Sequence, residues 1–159
     1  MEIPQVTLRP AREEDAKVIR DLVHKVQINP MGLDWRRFTL AVNDAGQILA
    51  CGQLKPHAND LLELASIAVE PAYQGQGLGS QIITRLIAIH RMQTAGSPTP
   101  LYLTCRFSLG SYYARFGFRE ASQDEMPKYF RRIQRLANLF LSASKSGQHL
   151  LVMVLDSHN

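Results

Sequence analysis

An α/β (α+β) domain with a mixed sheet covered by helices on both faces is the fold class this sequence predicts, on three observations. Segments of strand character outnumber those of helical period, and the two kinds are interspersed along the chain. The composition, 45% hydrophobic and 20% charged over 159 residues, is that of a soluble globular protein. A chain of this length buries roughly 70% of the surface its unfolded form exposes, so a core forms without disulfides or structural metal. No internal repeat, low-complexity stretch or linker divides it, and one domain over residues 1–159 is expected.

The elements follow in order. Val6 to Arg9 reads as a first strand closed by Pro10. Glu13, Glu14 and Asp15 place negative charge where a helix N-terminus favours it, and Val18, Ile19, Leu22, Val23 and Val26 recur at helical spacing up to Asn29-Pro30. Asp34 and Trp35 open a short second helix. Phe38 to Asn43 and Gln47 to Lys55 flank Asp44-Ala45-Gly46 as the arms of a hairpin do. Leu61 to Val69 is the next strand. From Ser80, Ile82, Ile83, Leu86, Ile87 and His90 trace one helix face that stops near Gly96 and Pro98. Leu101 to Cys105 is a strand, Ser111 to Phe116 a short helix, Phe118-Arg119 a strand start, Lys128 to Ser142 an amphipathic helix and His149 to Leu155 a last strand. Phe130, Ile133, Leu136, Ala137 and Phe140 form the apolar stripe of that helix, expected on the sheet, with Arg131, Arg132 and Arg135 over its remaining surface.

The net charge of +4 is local. Lys128, Arg131, Arg132, Arg135 and Lys145 fall in a stretch with no acid, and the other 13 basic residues stand against 14 acidic ones. A general polyanion-binding surface is therefore not expected. Cys51 and Cys105, far apart and with no Cys-x-x-Cys or His at ligand spacing, fit a reducing compartment and argue against a metal site. The start of the chain lacks a signal pattern and no apolar run reaches a membrane span, so a cytoplasmic protein with no membrane partner is expected.

The strongest local signal is Gln74-Gly75-Gln76-Gly77-Leu78-Gly79-Ser80, between a strand and a helix. Glycines admit close backbone approach, and successive N–H groups at a helix N-terminus cradle an anion. A nucleoside-triphosphate loop needs Gly-Lys-Ser/Thr, yet no lysine lies between Lys55 and Lys128. A dinucleotide fingerprint needs Gly-x-Gly-x-x-Gly and an acid about 20 residues on, whereas no Asp or Glu occurs from Pro71 through Arg119. Gln74, Gly77 and Gly79 match the Gln/Arg-x-x-Gly-x-Gly/Ala loop of the GNAT superfamily of N-acetyltransferases, and the chain resembles that superfamily in three further places. Glu63 to Pro71 looks like its fourth strand and exit, Tyr112 to Phe118 is similar to its Leu-Tyr-x-x-x-Gly-Phe segment, and Leu8-Arg9-Pro10 with Asp15 agrees with its usual opening.

The resemblance implies a GNAT-like acyl-CoA N-acyltransferase fold, with a mostly antiparallel central sheet of about seven strands, and an N-acetyltransferase that passes the acetyl group of acetyl-CoA to an amine by direct attack in a ternary complex. Acetyl-CoA enters as acyl-donor cosubstrate, and no metal is implied. The main chain of Gly75, Gln76, Gly77, Leu78, Gly79 and Ser80, together with Gln74 of the motif, is expected on the pyrophosphate, and Ile67, Ala68 and Val69 on the pantetheine arm. Glu63, in an otherwise apolar run, is the expected general base, and Tyr113 the expected acid for the leaving thiolate. The acceptor is a small-molecule or peptide amine, no nucleic-acid partner is expected, and homodimer formation is open. Two alternatives stand beside this reading: a non-catalytic acyl-CoA sensor, and a nucleic-acid or membrane-surface module built on the basic helix. Thr104-Cys105-Arg106 stands where many members carry an Asn, and Cys105, with no histidine near it in sequence, reads as a structural thiol. No histidine is given a chemical role. Trp35, Arg36 and Arg37 read as packing or as part of an acceptor pocket.

Overall fold

Strand β1 (Val6–Pro10) pairs antiparallel with β2 (Phe38–Asn43), β2 with β3 (Ile48–Pro56) and β3 with β4 (Leu62–Val69), in a computed structural model that describes residues 3–143 and 149–158. This meander belongs to the first of two compact units, Met1–Gly96 and Ser97–Asn159. Asn43 shapes the β2–β3 turn. Its side-chain oxygen accepts from the Ala45 N–H (3.1 Å) and the Gln47 N–H (2.9 Å), and Gly46 takes the left-handed φ of 81° that closes a three-residue loop.

Alternation along β3 sends Cys51 and Gly52 to opposite faces. Cys51 joins Leu40, Val42 and Ala68 in a core with Ile19, Leu22 and Val23 of α1 (Ala16–Lys25). A Cβ on Gly52 would lie 2.6 Å from Ile82 of α2 (Leu78–Gln93), so that helix covers the other face, burying Ile82, Ile83, Leu86 and Ile87. Helices on both faces, as expected, therefore hold for this unit. The acids predicted at the start of the first helix form a 3-10 turn ahead of it. Asp15 accepts there from the Arg12 N–H (2.7 Å) and from both guanidinium nitrogens of Arg9 (2.8 and 3.1 Å), which holds its carboxyl below the usual range.

The β3–β4 ladder is interrupted once. Gln53 pairs with Ala65 and Cys51 with Ala68, so Ser66 and Ile67 together oppose Gly52. Ser66 has a φ of 59°, and this β-bulge breaks the strand's alternation in mid-course.

In the second unit β5 (Leu101–Arg106) and β6 (Arg119–Glu120) both pair antiparallel with β7 (Leu150–Leu155). The short α3 (Gly110–Ala114) precedes β6, and α4 (Lys128–Ala143) lies between β6 and β7 in sequence. Phe130 of α4 is fully buried and stacks on Tyr102 at 5.3 Å between ring centroids. Ile133 and Ala137 are half-buried, but two residues of the stripe depart from expectation: Leu136 and Phe140 are 59% and 77% exposed, and Leu139 beside them is 63% exposed. The cause is polar. Gln134 donates to the Leu150 carbonyl (3.1 Å) and Asn138 accepts from the Leu150 N–H (2.8 Å), so positions 134 and 138 face β7 and the later apolar positions turn outward. Arg131 is likewise not a free surface charge, because it is half-buried and donates to the Met126 carbonyl (2.9 Å). Lys145 lies outside the described residues.

Candidate active site

The glycine loop is built from the end of β4. Glu70 N–H donates to the Leu49 carbonyl (2.8 Å), Pro71–Tyr73 form a 3-10 turn, and the Gln74 side chain donates back to the Val69 carbonyl (3.1 Å). Gly75 and Gly77 then take φ of 76° and 83°, values an L-residue adopts only with strain, and the helix starts at Leu78 rather than at Ser80. Gly79, whose main chain is expected on the pyrophosphate, is a helical residue of the first turn. The first-turn N–H groups of a helix have no partner within the helix, and the macrodipole leaves them partially positive. Ile67, Ala68 and Val69 lie on β4 past the bulge, immediately before the loop.

Glu63 lies at the other end of β4. Alternation puts Cys51, Gln53 and Lys55 on one face of β3, and Glu63 pairs with Lys55 in the ladder. Glu63 is only 9% exposed, and its Oε2 is 2.6 Å from Nε2 of His57. His57 is thus a residue to which the sequence assigned no role. The Lys55 ammonium instead donates to the Met31 carbonyl (3.2 Å). Gln53, fully buried beside it, donates to Ser66 Oγ (2.9 Å) and to the Gly32 carbonyl (3.2 Å), so one side chain ties the bulge to the segment that follows α1. That segment ends in the Trp35–Arg37 turn, capped by Asp34, with the Arg36 guanidinium 5.0 Å above the Trp35 ring. Trp35 and Arg36 line a cavity of about 320 Å³ together with Arg20 of α1 and Leu33. Arg20 is a lining residue that sequence reasoning missed.

In the second unit, Tyr113 of α3 meets Tyr112 and Phe118 edge-on, at 5.3 and 6.2 Å between ring centroids. Burial pushes its hydroxyl far above the ordinary phenol range, with Cys105 adding to the effect, so the group is a protonated donor at neutral pH. Burial also pushes the Cys105 thiol up to about 11 and the Cys51 thiol to about 12, which opposes a nucleophilic role for either. Among the described residues no cluster of three metal-ligating side chains occurs, and no helix is long and apolar enough to cross a membrane.

The chain is similar to known proteins over different shares of its length. An amino-acid acetyltransferase of Ectopseudomonas mendocina is 37% identical over 87 residues, 54% of this chain and 19% of that protein. An amino-acid acetyltransferase of Mycobacterium tuberculosis is 35% identical over 78 residues, 47% of this chain and 40% of that protein. The chain thus matches well under half the length of these curated relatives. In three dimensions, N-acetylglutamate synthase from Neisseria gonorrhoeae, complexed with coenzyme A and L-arginine, superposes with a TM-score of 0.70 at 24% identity, over 98% of this chain and 34% of that one, which shows the fold. Residues 34–120, from the cap of the Trp35 turn through β4, the glycine loop and α3 to β6, match the model of the acetyltransferase (GNAT) domain, and the chain belongs to that family.

Proposed function

We propose that the protein is an acetyl-CoA-dependent N-acetyltransferase whose acceptor is the α-amine of a small amino acid. The observation that carries the reading is the turn that opens α2, with two left-handed glycines two residues apart ahead of a sixteen-residue helix, in a chain of the GNAT family. In this reading the N–H groups of residues 75–80 hold the pyrophosphate, Gln74 fixes the loop to Val69, and Ile67, Ala68 and Val69 offer main chain to the pantetheine arm. The amino-acid class of acceptor is supported by the names of the two curated relatives and of the Neisseria gonorrhoeae synthase.

The chemistry requires a neutral amine, because an ammonium has no lone pair to attack the thioester carbonyl. Glu63 takes the ammonium proton and the amine nitrogen bonds to the carbonyl carbon, which leaves that nitrogen one proton more than the amide keeps. The carbon–sulfur bond breaks as the tetrahedral intermediate collapses, Tyr113, held protonated by burial, donates to the departing thiolate, and the surplus proton of the nitrogen returns the tyrosine to its phenol through solvent. Arg20, on the cavity beside Trp35, supplies positive charge suited to an acceptor carboxylate, whereas Arg36 there is paired with Asp34 (3.3 Å).

The test is a screen of the common amino acids, diamines and short peptides with acetyl-CoA, read as release of free coenzyme A thiol. Turnover is expected with an amino acid, L-glutamate foremost. Tight acetyl-CoA binding with no turnover on any amine would overturn the enzyme reading in favour of an acyl-CoA sensor, and turnover on peptides alone would overturn the acceptor class.

A further inference from the structure

Glu63 and His57 flank the turn between β3 and β4. The His57 N–H donates to the Leu61 carbonyl (2.8 Å), and the turn is closed by Asn59 and Asp60 at φ of 62° and 57°, a conformation those two residue types tolerate better than most. This fixes the His57 backbone against the start of β4. Both side chains of the pair are 11% exposed, and their polar atoms meet at 2.6 Å. A carboxylate that secluded needs a partner able to carry charge. Lys55 is its ladder neighbour but spends its ammonium on the Met31 carbonyl, and Asp60, in the turn, is acidic.

We propose that His57 is the positioning residue of Glu63. The inference rests on Glu63 as base. The Nε2–H of the ring donates to Oε2 and fixes the carboxylate, which leaves Oε1 to take the proton: the acceptor N–H bond breaks, a Glu63 Oε1–H bond forms, and that proton passes to water once the product has left.

Two variants test this with acetyl-CoA and L-glutamate. His57→Ala is expected to lower kcat by about 10- to 100-fold, the lower part of the range for acid–base groups, with the KM for acetyl-CoA within twofold, and added imidazole is expected to restore much of the loss. His57→Ala with wild-type kcat and pH profile, or with a loss that imidazole leaves untouched, overturns the positioning role while a rate loss in Glu63→Gln leaves the base reading standing. Wild-type rates in Glu63→Gln overturn both. The His57 ring N–H resonance by nuclear magnetic resonance in wild type and Glu63→Gln needs no acceptor and does not depend on His57→Ala folding. The Nε2–H signal is expected downfield in wild type, as for a proton bonded to a carboxylate, and displaced in Glu63→Gln, and identical signals in the two overturn the proposal.

Discussion

Gly77 and Gly46 form a matched pair for separating strain from binding. Their φ values are 83° and 81°, and a Cβ added at either meets nothing within 4 Å. Alanine at either position therefore costs backbone strain alone, about 1–2 kcal/mol. At about 2–4 °C per kcal/mol for a domain of this size, both variants are expected to melt about 2–8 °C below wild type. Their effect on acetyl-CoA separates them, because Gly46 lies in the β2–β3 turn and Gly77 opens α2. A methyl group that displaces one charge-assisted N–H bond to phosphate removes about 1.5–3 kcal/mol, which is roughly 10- to 150-fold in Kd. Thermal melts and calorimetric titration with acetyl-CoA, run on both variants, give the two quantities independently. Gly77→Ala with the affinity of Gly46→Ala would refute the phosphate cradle, and a Gly46→Ala variant that also lost affinity would show that strain alone propagates to the site.

Gly52→Ala places a Cβ 2.6 Å from Ile67 Cδ1 and Ile82 Cγ2 and 3.0 Å from Leu86 Cδ1, so a loss of about 1–3 kcal/mol is expected in urea unfolding. The Ile67→Val background, which lacks Cδ1, is expected to reduce that loss, and equal losses in both backgrounds would refute the packing argument. Asp15→Asn is expected to cost about 1.5–3 kcal/mol at pH 7, since the Arg9 bonds are made to a charged carboxylate. The Asp15 pKa is depressed in the folded state, so this stability is present above the unfolded value near 3.9 and is lost as pH falls toward the lower folded value; wild type and variant are expected to converge in acid unfolding curves. Tyr113→Phe is expected to lower kcat with acetyl-CoA affinity unchanged, and an unaltered kcat would assign the hydroxyl a structural role.

Periodicity carried the order of strands and helices because burial itself is periodic, and the ends of most elements fall within two residues of where composition places them. The largest surprise in the site was local backbone geometry. Serine gives no sequence signal for a left-handed φ, so the Ser66 bulge and its tether to Gln53 were not legible. The pairing of His57 with Glu63 was legible in part: Asn59-Asp60 between two strand patterns marks a tight turn, and a tight turn carries residues 57 and 63 to one neighbourhood. In α4 the apolar stripe misled because Gln134 and Asn138, which lie outside it, bond the first residue of β7. A one-dimensional pattern does not distinguish a polar side chain in water from one that satisfies a backbone group.

The seclusion of both cysteines has a practical consequence. Coenzyme A is itself a thiol, so an assay that counts thiols is only as clean as the protein's own contribution. Burial pushes Cys51 up to about 12 and Cys105 up to about 11, so both stay thiols at pH 8, and each is less than a tenth exposed. A disulfide reagent added to the folded protein therefore sees released coenzyme A and almost nothing else. Once the chain unfolds, two thiols per molecule emerge together, and the same colour reaction becomes a measure of the fraction folded.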